Sequence, residues 1–121
     1  MSNEFQENFN VNCTNGNYKF TFVKGSASYN QSVQGSVGGC SKVTTTASDV
    51  PLGSVGTLGK ALFHNCDVTN YVQIGTDVTG TFTPFMKLLP DEYAWVRLDT
   101  ITPMWKAHTA SCDVEYVIFE N

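Results

Sequence analysis

Two short apolar-rich runs around a polar loop constrain this chain more than any other feature. The runs are residues 70–75 and 81–88, and the loop between them ends in Gly80. Two such runs joined by a short glycine-containing loop are typical of a β-hairpin. Pro84 lies inside the second run and lacks a backbone donor, so we expect that strand at a sheet edge or at a bulge. This region therefore predicts antiparallel β-structure.

The rest of the chain repeats this pattern of short strands and turns. Asn15-Gly16 is the strongest hairpin signal, because both residues tolerate a positive φ angle, and an aromatic–polar alternation over residues 18–23 follows it. No stretch shows convincing helical periodicity. Further strands are predicted at residues 42–46, 60–66, 92–98, 104–107 and 112–120.

The strand pattern predicts an all-β fold, specifically a single antiparallel β-sandwich of about eight strands that is jelly-roll-like. A length of 121 residues suits one domain. We expect residues 9–121 to form that domain and residues 1–8 to be a flexible N-terminal arm. In the last strand, Tyr116 and Ile118 should face the core, because they share a strand face with Val114, and Asp113 and Glu115 lie on the opposite face.

Composition and charge exclude several classes of function. The net charge is −4, so nucleic acid is not an expected partner. No apolar run approaches the roughly 20 residues of a membrane span, so no membrane contact is expected either. The first residues lack the basic and apolar regions of a signal peptide, which predicts synthesis and folding in a cytoplasm. Only 15% of residues are charged, a composition common in extracellular and virion β-proteins.

The four cysteines give two alternatives. Their even number allows a disulfide framework, whereas a cytoplasmic origin favours reduced and mostly buried thiols, which we prefer. His64 and Cys66 share a strand face, and His108 precedes Cys112, so a Cys2His2 zinc site is conceivable. The spacing matches no zinc-finger pattern, and we expect no metal and no other cofactor.

No catalytic constellation emerges from the sequence. A cysteine nucleophile needs a neighbouring base, and no sequence motif places one beside a thiol. The carboxylates of Asp91 and Glu92 are more simply turn residues than a glycosidase pair. Asp113 and Glu115 occupy the solvent-side positions of a strand. We therefore predict a protein that is not an enzyme and has no catalytic residues.

Aromatic and apolar side chains are the candidates for partner binding. Exposed aromatic platforms would indicate a carbohydrate-binding module, but most aromatics here alternate with polar residues as core positions do. Val117 and Phe119 share a face with charged residues, which indicates contact with another chain. Phe5 and Phe9 lie at the N-terminal arm, which can reach a neighbour by strand addition.

The second half of the chain resembles a family of small tailed-bacteriophage structural proteins. The resemblance covers about residues 50–121. Its clearest parts are Thr69-Asn70-Tyr71-Val72-Gln73-Ile74-Gly75, Thr81-Phe82-Thr83-Pro84-Phe85-Met86-Lys87-Leu88 and the strand ending in Arg97-Leu98; Leu62-Phe63-His64-Asn65-Cys66-Asp67, Trp105-Lys106-Ala107 and Val114-Glu115-Tyr116 also fit. The chain departs from the family at Pro90-Asp91-Glu92, where Pro-Gly-Glu is usual. These residues define hairpins, so no functional residue carries over.

The resemblance implies a virion component assembled in the host cytoplasm, most plausibly a capsid cement or decoration protein. Its expected partners are the major capsid protein and further copies of itself, as a trimer or dimer. A neck, tail or fibre-attached component and a carbohydrate-binding β-sandwich are the alternatives.

Overall fold

A computed structural model describes residues 5–31 and 35–121, and these residues form strands and loops without a helix. Every strand pair is antiparallel, so the all-β antiparallel prediction is confirmed. Within these ranges no helix has the length and apolar character that crossing a bilayer requires. The chain divides into two compact units, Met1–Val33 and Gln34–Asn121.

The first unit is a long hairpin. Strand β1 (Phe5–Asn15) pairs with β2 (Tyr18–Tyr29), and the turn between them contains Gly16 at a φ of 59°. The hairpin predicted at Asn15-Gly16 is thus confirmed. The register shifts between Phe9 and Asn10, where β2 carries one extra residue. A two-stranded hairpin has no second layer of its own, so it is at best marginally stable in isolation.

The second unit holds eight strands in two four-stranded sheets. The strands are β3 (Ser36–Val43), β4 (Ser48–Asp49), β5 (Leu58–Asn65), β6 (Val72–Val78), β7 (Thr81–Leu88), β8 (Tyr93–Arg97), β9 (Pro103–Ala107) and β10 (Cys112–Glu120). Their orders in the two sheets are β3-β10-β5-β8 and β4-β9-β6-β7. The pairing is nested, since β6 pairs with β7, β5 with β8, β4 with β9, and β3 with β10.

The two sheets enclose one hydrophobic core. Trp105 of β9 meets Phe63 of β5 and Tyr116 of β10 edge to face, with ring centroids 6.4 and 5.1 Å apart. The predicted inward positions of β10 are confirmed, because Tyr116 and Ile118 are buried. Alternate residues of β5 are buried as well, because successive side chains of a strand point to opposite faces of the sheet. The core also takes in Val43, Val50, Leu58, Ala61, Val72, Ile74, Leu88, Ala107 and Val114.

The β6–β7 hairpin is the one predicted around Gly80. Its turn places Thr79 and Gly80 at φ angles of 49° and 84°, as a tight two-residue turn requires. Pro84 lies in β7, which is the edge strand of its sheet, and opposite a register shift after Ile74. Pro84 therefore lies both on an edge strand and at a bulge, the two positions that the sequence predicted as alternatives.

Three boundaries differ most from the sequence prediction. The sandwich does not span residues 9–121, because the hairpin is a separate unit. The predicted flexible arm at residues 1–8 overlaps β1, which begins at Phe5, and residues 1–4 lie outside the described residues. The strand predicted at 42–46 ends at Val43 and extends back to Ser36 instead. The glycines in this stretch allow it, since a Cβ on Gly38 would lie 2.5 Å from the Tyr116 carbonyl oxygen.

Candidate functional site

The hairpin carries an apolar face that is exposed along its length. Cys13 pairs with Phe20 and Val11 with Phe22, which places these side chains on one face of the ladder. Phe9 meets Phe22 edge to face at 5.9 Å. We call this surface the aromatic face. Its members Phe9, Val11, Tyr18, Phe20 and Phe22 are 37–63% exposed.

The opposite face of the hairpin is polar. It presents Asn10, Asn12, Lys19 and Thr21, and Thr21 donates a hydrogen bond of 2.9 Å to the Asn12 side chain. Val23 is its one large apolar residue among those described, at 67% exposure. The hairpin is thus amphipathic, with the alternation of a strand pair that buries one face.

The predicted partner residues fall on both units. Phe9 lies on the aromatic face at 50% exposure, and Phe5 is half-buried at the start of β1. Val117 and Phe119 are half-buried on the outer face of the β3-β10-β5-β8 sheet. The Phe119 ring meets Trp95 edge to face at 6.1 Å. Val117 and Phe119 are therefore less available to a partner than the aromatic face is.

A polar cluster occupies the same outer sheet face. Glu115 of β10 lies directly across from His64 of β5. His64 Nδ1 is 3.5 Å from Glu115 Oε1 and 3.6 Å from Cys66 Sγ, and His64 Nε2 is 2.9 Å from Asp91 Oδ1. The hydrogen bond with Asp91 raises the pKa of His64, with a smaller contribution from Glu115. We call these four residues the His64 cluster.

Asn65 holds the loops around the His64 cluster in place. Its side chain is fully buried, donates to the Asn70 and Leu88 carbonyls and accepts from the Asp67 amide. The Asn65 carbonyl oxygen accepts a hydrogen bond from the Asp91 amide. The turn that carries Asp91 is thereby tied to the end of β5. No sequence pattern singles out this asparagine, because its partners are distant backbone groups.

The Asp67 turn continues this framework. The Asp67 carboxylate accepts hydrogen bonds from the Asn70 and Thr69 amides at 2.5 and 2.9 Å. These bonds, that from Asn70 foremost, lower the pKa of Asp67. The loop after Cys66 is thus fixed by its own side chains.

The conceivable Cys2His2 site does not assemble. His108 stacks on Tyr71 with centroids 4.4 Å apart. Cys112 is buried, and its thiol faces the Asn70 and Tyr71 carbonyls. All four cysteines are free, but the expectation of mostly buried thiols is wrong, since Cys13, Cys40 and Cys66 are exposed.

The structure also places a base beside a thiol, which sequence reasoning did not find. Cys66, His64 and Asp91 stand in the order of nucleophile, base and orienting carboxylate. Glu115 lies on the same side of the imidazole as Cys66, so its carboxylate and the thiol both face His64 Nδ1. Asp91 and Glu92 are turn residues as predicted, because the Glu92 amide donates to the Leu89 carbonyl.

The aromatic residues of the sandwich do not form an exposed pair. Trp105 is 2% exposed, as the core prediction requires. Trp95 is half-buried, with Lys60 Nζ 5.5 Å above its ring. Tyr93 and Phe85 are exposed, but they lie in different sheets, so within residues 35–121 no two exposed aromatic rings share a sheet face.

Comparisons with known proteins gave no relative. No protein-family model matches the chain, no curated protein matches it, and no solved structure matches it.

Proposed function

We propose that this protein is a virion structural protein that acts by binding, and that it decorates or cements a capsid by lying between capsomers. The observation that carries the proposal is the aromatic face of the hairpin. Five large apolar side chains are exposed on one face of this two-stranded ladder, and an exposed apolar patch of this kind is typical of a surface that a partner covers. A partner that covers this face supplies the second layer that the hairpin lacks.

The strand order of the second unit supports the same proposal. The nested pairing of eight strands in two sheets is compatible with the jelly-roll-like topology predicted from the sequence, and jelly rolls occur among viral capsid proteins. Fold alone does not determine function. Its contribution is a packed β-domain in the same chain as the aromatic face of the hairpin.

The chemistry of the hairpin fits a lattice protein. Phe and Tyr side chains are enriched at the centres of protein interfaces. The polar face of the hairpin can remain in solvent or lie at the polar rim of such an interface. A protein that binds the assembled shell more tightly than its free subunits stabilises the shell by mass action. Closed symmetry favours self-association as a dimer or trimer.

The experiment is incorporation into particles. The double variant Phe9→Ser/Phe22→Ser removes two contacting rings of the aromatic face, and Val23→Ser removes a comparably exposed apolar residue from the opposite face. Copies per purified phage particle are counted by quantitative mass spectrometry against the major capsid protein. We expect hundreds of wild-type copies in a simple ratio to the capsid subunit, about tenfold fewer for the double variant and little change for Val23→Ser.

Three results contradict the proposal in whole or in part. Absence of the wild-type chain from particles would exclude a virion role. Equal incorporation of the two variants would exclude the aromatic face as the binding surface. A dozen copies or fewer would instead place the protein at the neck or tail, and so contradict the cement role.

A further inference from the structure

We propose that the His64 cluster is a binding site for a zinc-like divalent cation, with His64 Nδ1, Cys66 Sγ and a Glu115 carboxylate oxygen as ligands. The three ligand atoms lie within 4.8 Å of one another. Imidazole nitrogen, thiolate sulfur and carboxylate oxygen are the donors that zinc takes in proteins. The site is independent of the proposed virion role.

The distances agree with tetrahedral coordination. Zinc bond lengths of about 2.0–2.3 Å place neighbouring ligand atoms about 3.3–3.7 Å apart. The observed separations from His64 Nδ1 are 3.6 Å to Cys66 Sγ and 3.5 Å to Glu115 Oε1. Glu115 has an exposed side chain, so its rotation can bring the carboxylate toward the thiol. Three protein ligands leave a fourth position for water.

The sheet builds this arrangement without a dedicated loop. His64 and Cys66 are two residues apart at the end of β5, and the bond of the Cys66 amide to the Asp113 carbonyl keeps Cys66 beside β10. Glu115 faces His64 from the neighbouring strand. The ligand set therefore comes from two hydrogen-bonded strands, which fix the backbone positions of the three ligand residues before metal binds.

Asp91, the fourth residue of the His64 cluster, is placed where the outer partner of a metal-bound histidine usually lies. Asp91 Oδ1 lies 2.9 Å from His64 Nε2. Because a carboxylate accepts, this contact favours the neutral tautomer with the proton on Nε2, whose Nδ1 lone pair faces Cys66 and Glu115. A carboxylate that orients a histidine in this way is the usual neighbour of a zinc-bound imidazole. Asp91 is a positioning residue here, since it contacts the imidazole and not the ion.

Charge also favours a cation at this place. A Cys66 thiolate and the Glu115 carboxylate together balance a divalent ion, and the thiol proton is released to solvent on binding. Without a cation, Asp91 and Glu115 flank one imidazole, which is the simpler arrangement of an ion pair on a sheet surface. Metal binding separates the two interpretations.

The experiment uses the full chain and two probes, Zn²⁺ by isothermal titration and Co²⁺ by absorption. We expect one equivalent of Zn²⁺ and, with Co²⁺, a sulfur-to-metal charge-transfer band with tetrahedral visible bands. Cys66→Ser should weaken Zn²⁺ binding by about 100-fold and abolish that band. Asp91→Asn, which suits the positive φ of this residue, should weaken binding about 10–100-fold with unchanged Co²⁺ band positions. Cys13→Ser and His108→Gln are matched controls that should bind as the wild type does.

A second readout does not depend on variants folding. Zn²⁺ should slow alkylation of Cys66 by about tenfold or more while exposed Cys13 reacts at an unchanged rate. The proposal is overturned if Cys66→Ser binds Zn²⁺ like the wild type, if Co²⁺ gives no thiolate band, or if Zn²⁺ leaves Cys66 alkylation unchanged.

Discussion

The indole of Trp105 and the phenol of Tyr116 meet almost perpendicularly, at 89° with ring centroids 5.1 Å apart, and join the two sheets of the sandwich. Trp105 comes from β9 and Tyr116 from β10, so each sheet contributes one ring. Edge-to-face pairs add stability beyond the area they bury. This contact is therefore a sensitive place to test the core.

Tyr116→Ala should lower the free energy of unfolding by about 3–5 kcal/mol, because a large buried ring is replaced by a cavity. Urea denaturation followed by tryptophan fluorescence measures the change. Tyr93→Ala is the control, since Tyr93 is 69% exposed and its removal should cost less than about 0.5 kcal/mol. A loss below about 1 kcal/mol for Tyr116→Ala would mean that the ring is not part of the core.

Tyr116 also predicts a loss of stability at high pH. Burial raises the pKa of Tyr116 above its ordinary value of about 10. The folded state therefore holds the phenol proton more tightly, so this stability is complete below pH of about 10 and is lost as pH rises toward the folded pKa. Tyr116→Phe removes the hydrogen bond to the Pro51 carbonyl oxygen but cannot ionise.

The measurement for this pH effect is urea denaturation of wild type and Tyr116→Phe at neutral pH and at about pH 11. We expect the wild type to be more stable by about 1 kcal/mol at neutral pH and the difference to shrink or reverse at the alkaline pH. A constant difference across this range would contradict a buried phenol.

Sequence reasoning succeeded where the pattern was local. The β6–β7 turn was predicted from Gly80, and the inward face of β10 from the alternation around Tyr116, because both depend on neighbours in the chain. The same alternation was misleading in β2. Phe20 and Phe22 alternate like core residues, yet they lie on an exposed hairpin, since no local signal states whether a second layer covers a strand.

The candidate sites likewise depend on long-range contacts that local sequence patterns do not predict. The spacing of His64 and Cys66 correctly placed them together, but Glu115 joins them only through the register of β10 on β5. That register is set by the whole sandwich. Asp91 reaches His64 because Asn65 fixes the following turn, a relationship among backbone groups that no residue spacing reveals.

Asn65→Ala should destabilise the sandwich by about 2–5 kcal/mol. The substitution leaves the Asn70 and Leu88 carbonyls and the Asp67 amide without the side chain that pairs them. Chemical denaturation gives the value, and Thr69→Ala in the same loop should change it by less than about 0.5 kcal/mol. Equal stability of the two variants would show that water replaces the Asn65 side chain without cost.

Gly75→Ala should be more damaging than its size suggests. A Cβ at this position would lie 2.1 Å from the Thr83 carbonyl oxygen, so the β6 and β7 backbones would have to separate beside the Pro84 bulge. We expect a loss of about 3 kcal/mol or more in the free energy of unfolding. Gly56→Ala is the control, since its Cβ would make only an ordinary 3.8 Å contact. Thermal denaturation of both variants measures the loss of stability. Similar thermal midpoints for Gly75→Ala and Gly56→Ala would contradict the close approach of β6 and β7.

The division into two units predicts that a chain beginning at Gln34 folds without the hairpin. Every residue of the buried core lies between Val37 and Ile118, and the strand pairing of the sandwich is complete within this unit. A peptide of residues 1–33 should lack persistent structure, because two strands without a covering layer are marginal in water. Cooperative urea unfolding of the truncated chain, with near-ultraviolet circular dichroism, tests the first expectation, and far-ultraviolet spectra of the peptide test the second. Loss of cooperative unfolding on truncation would show that the sandwich depends on the hairpin.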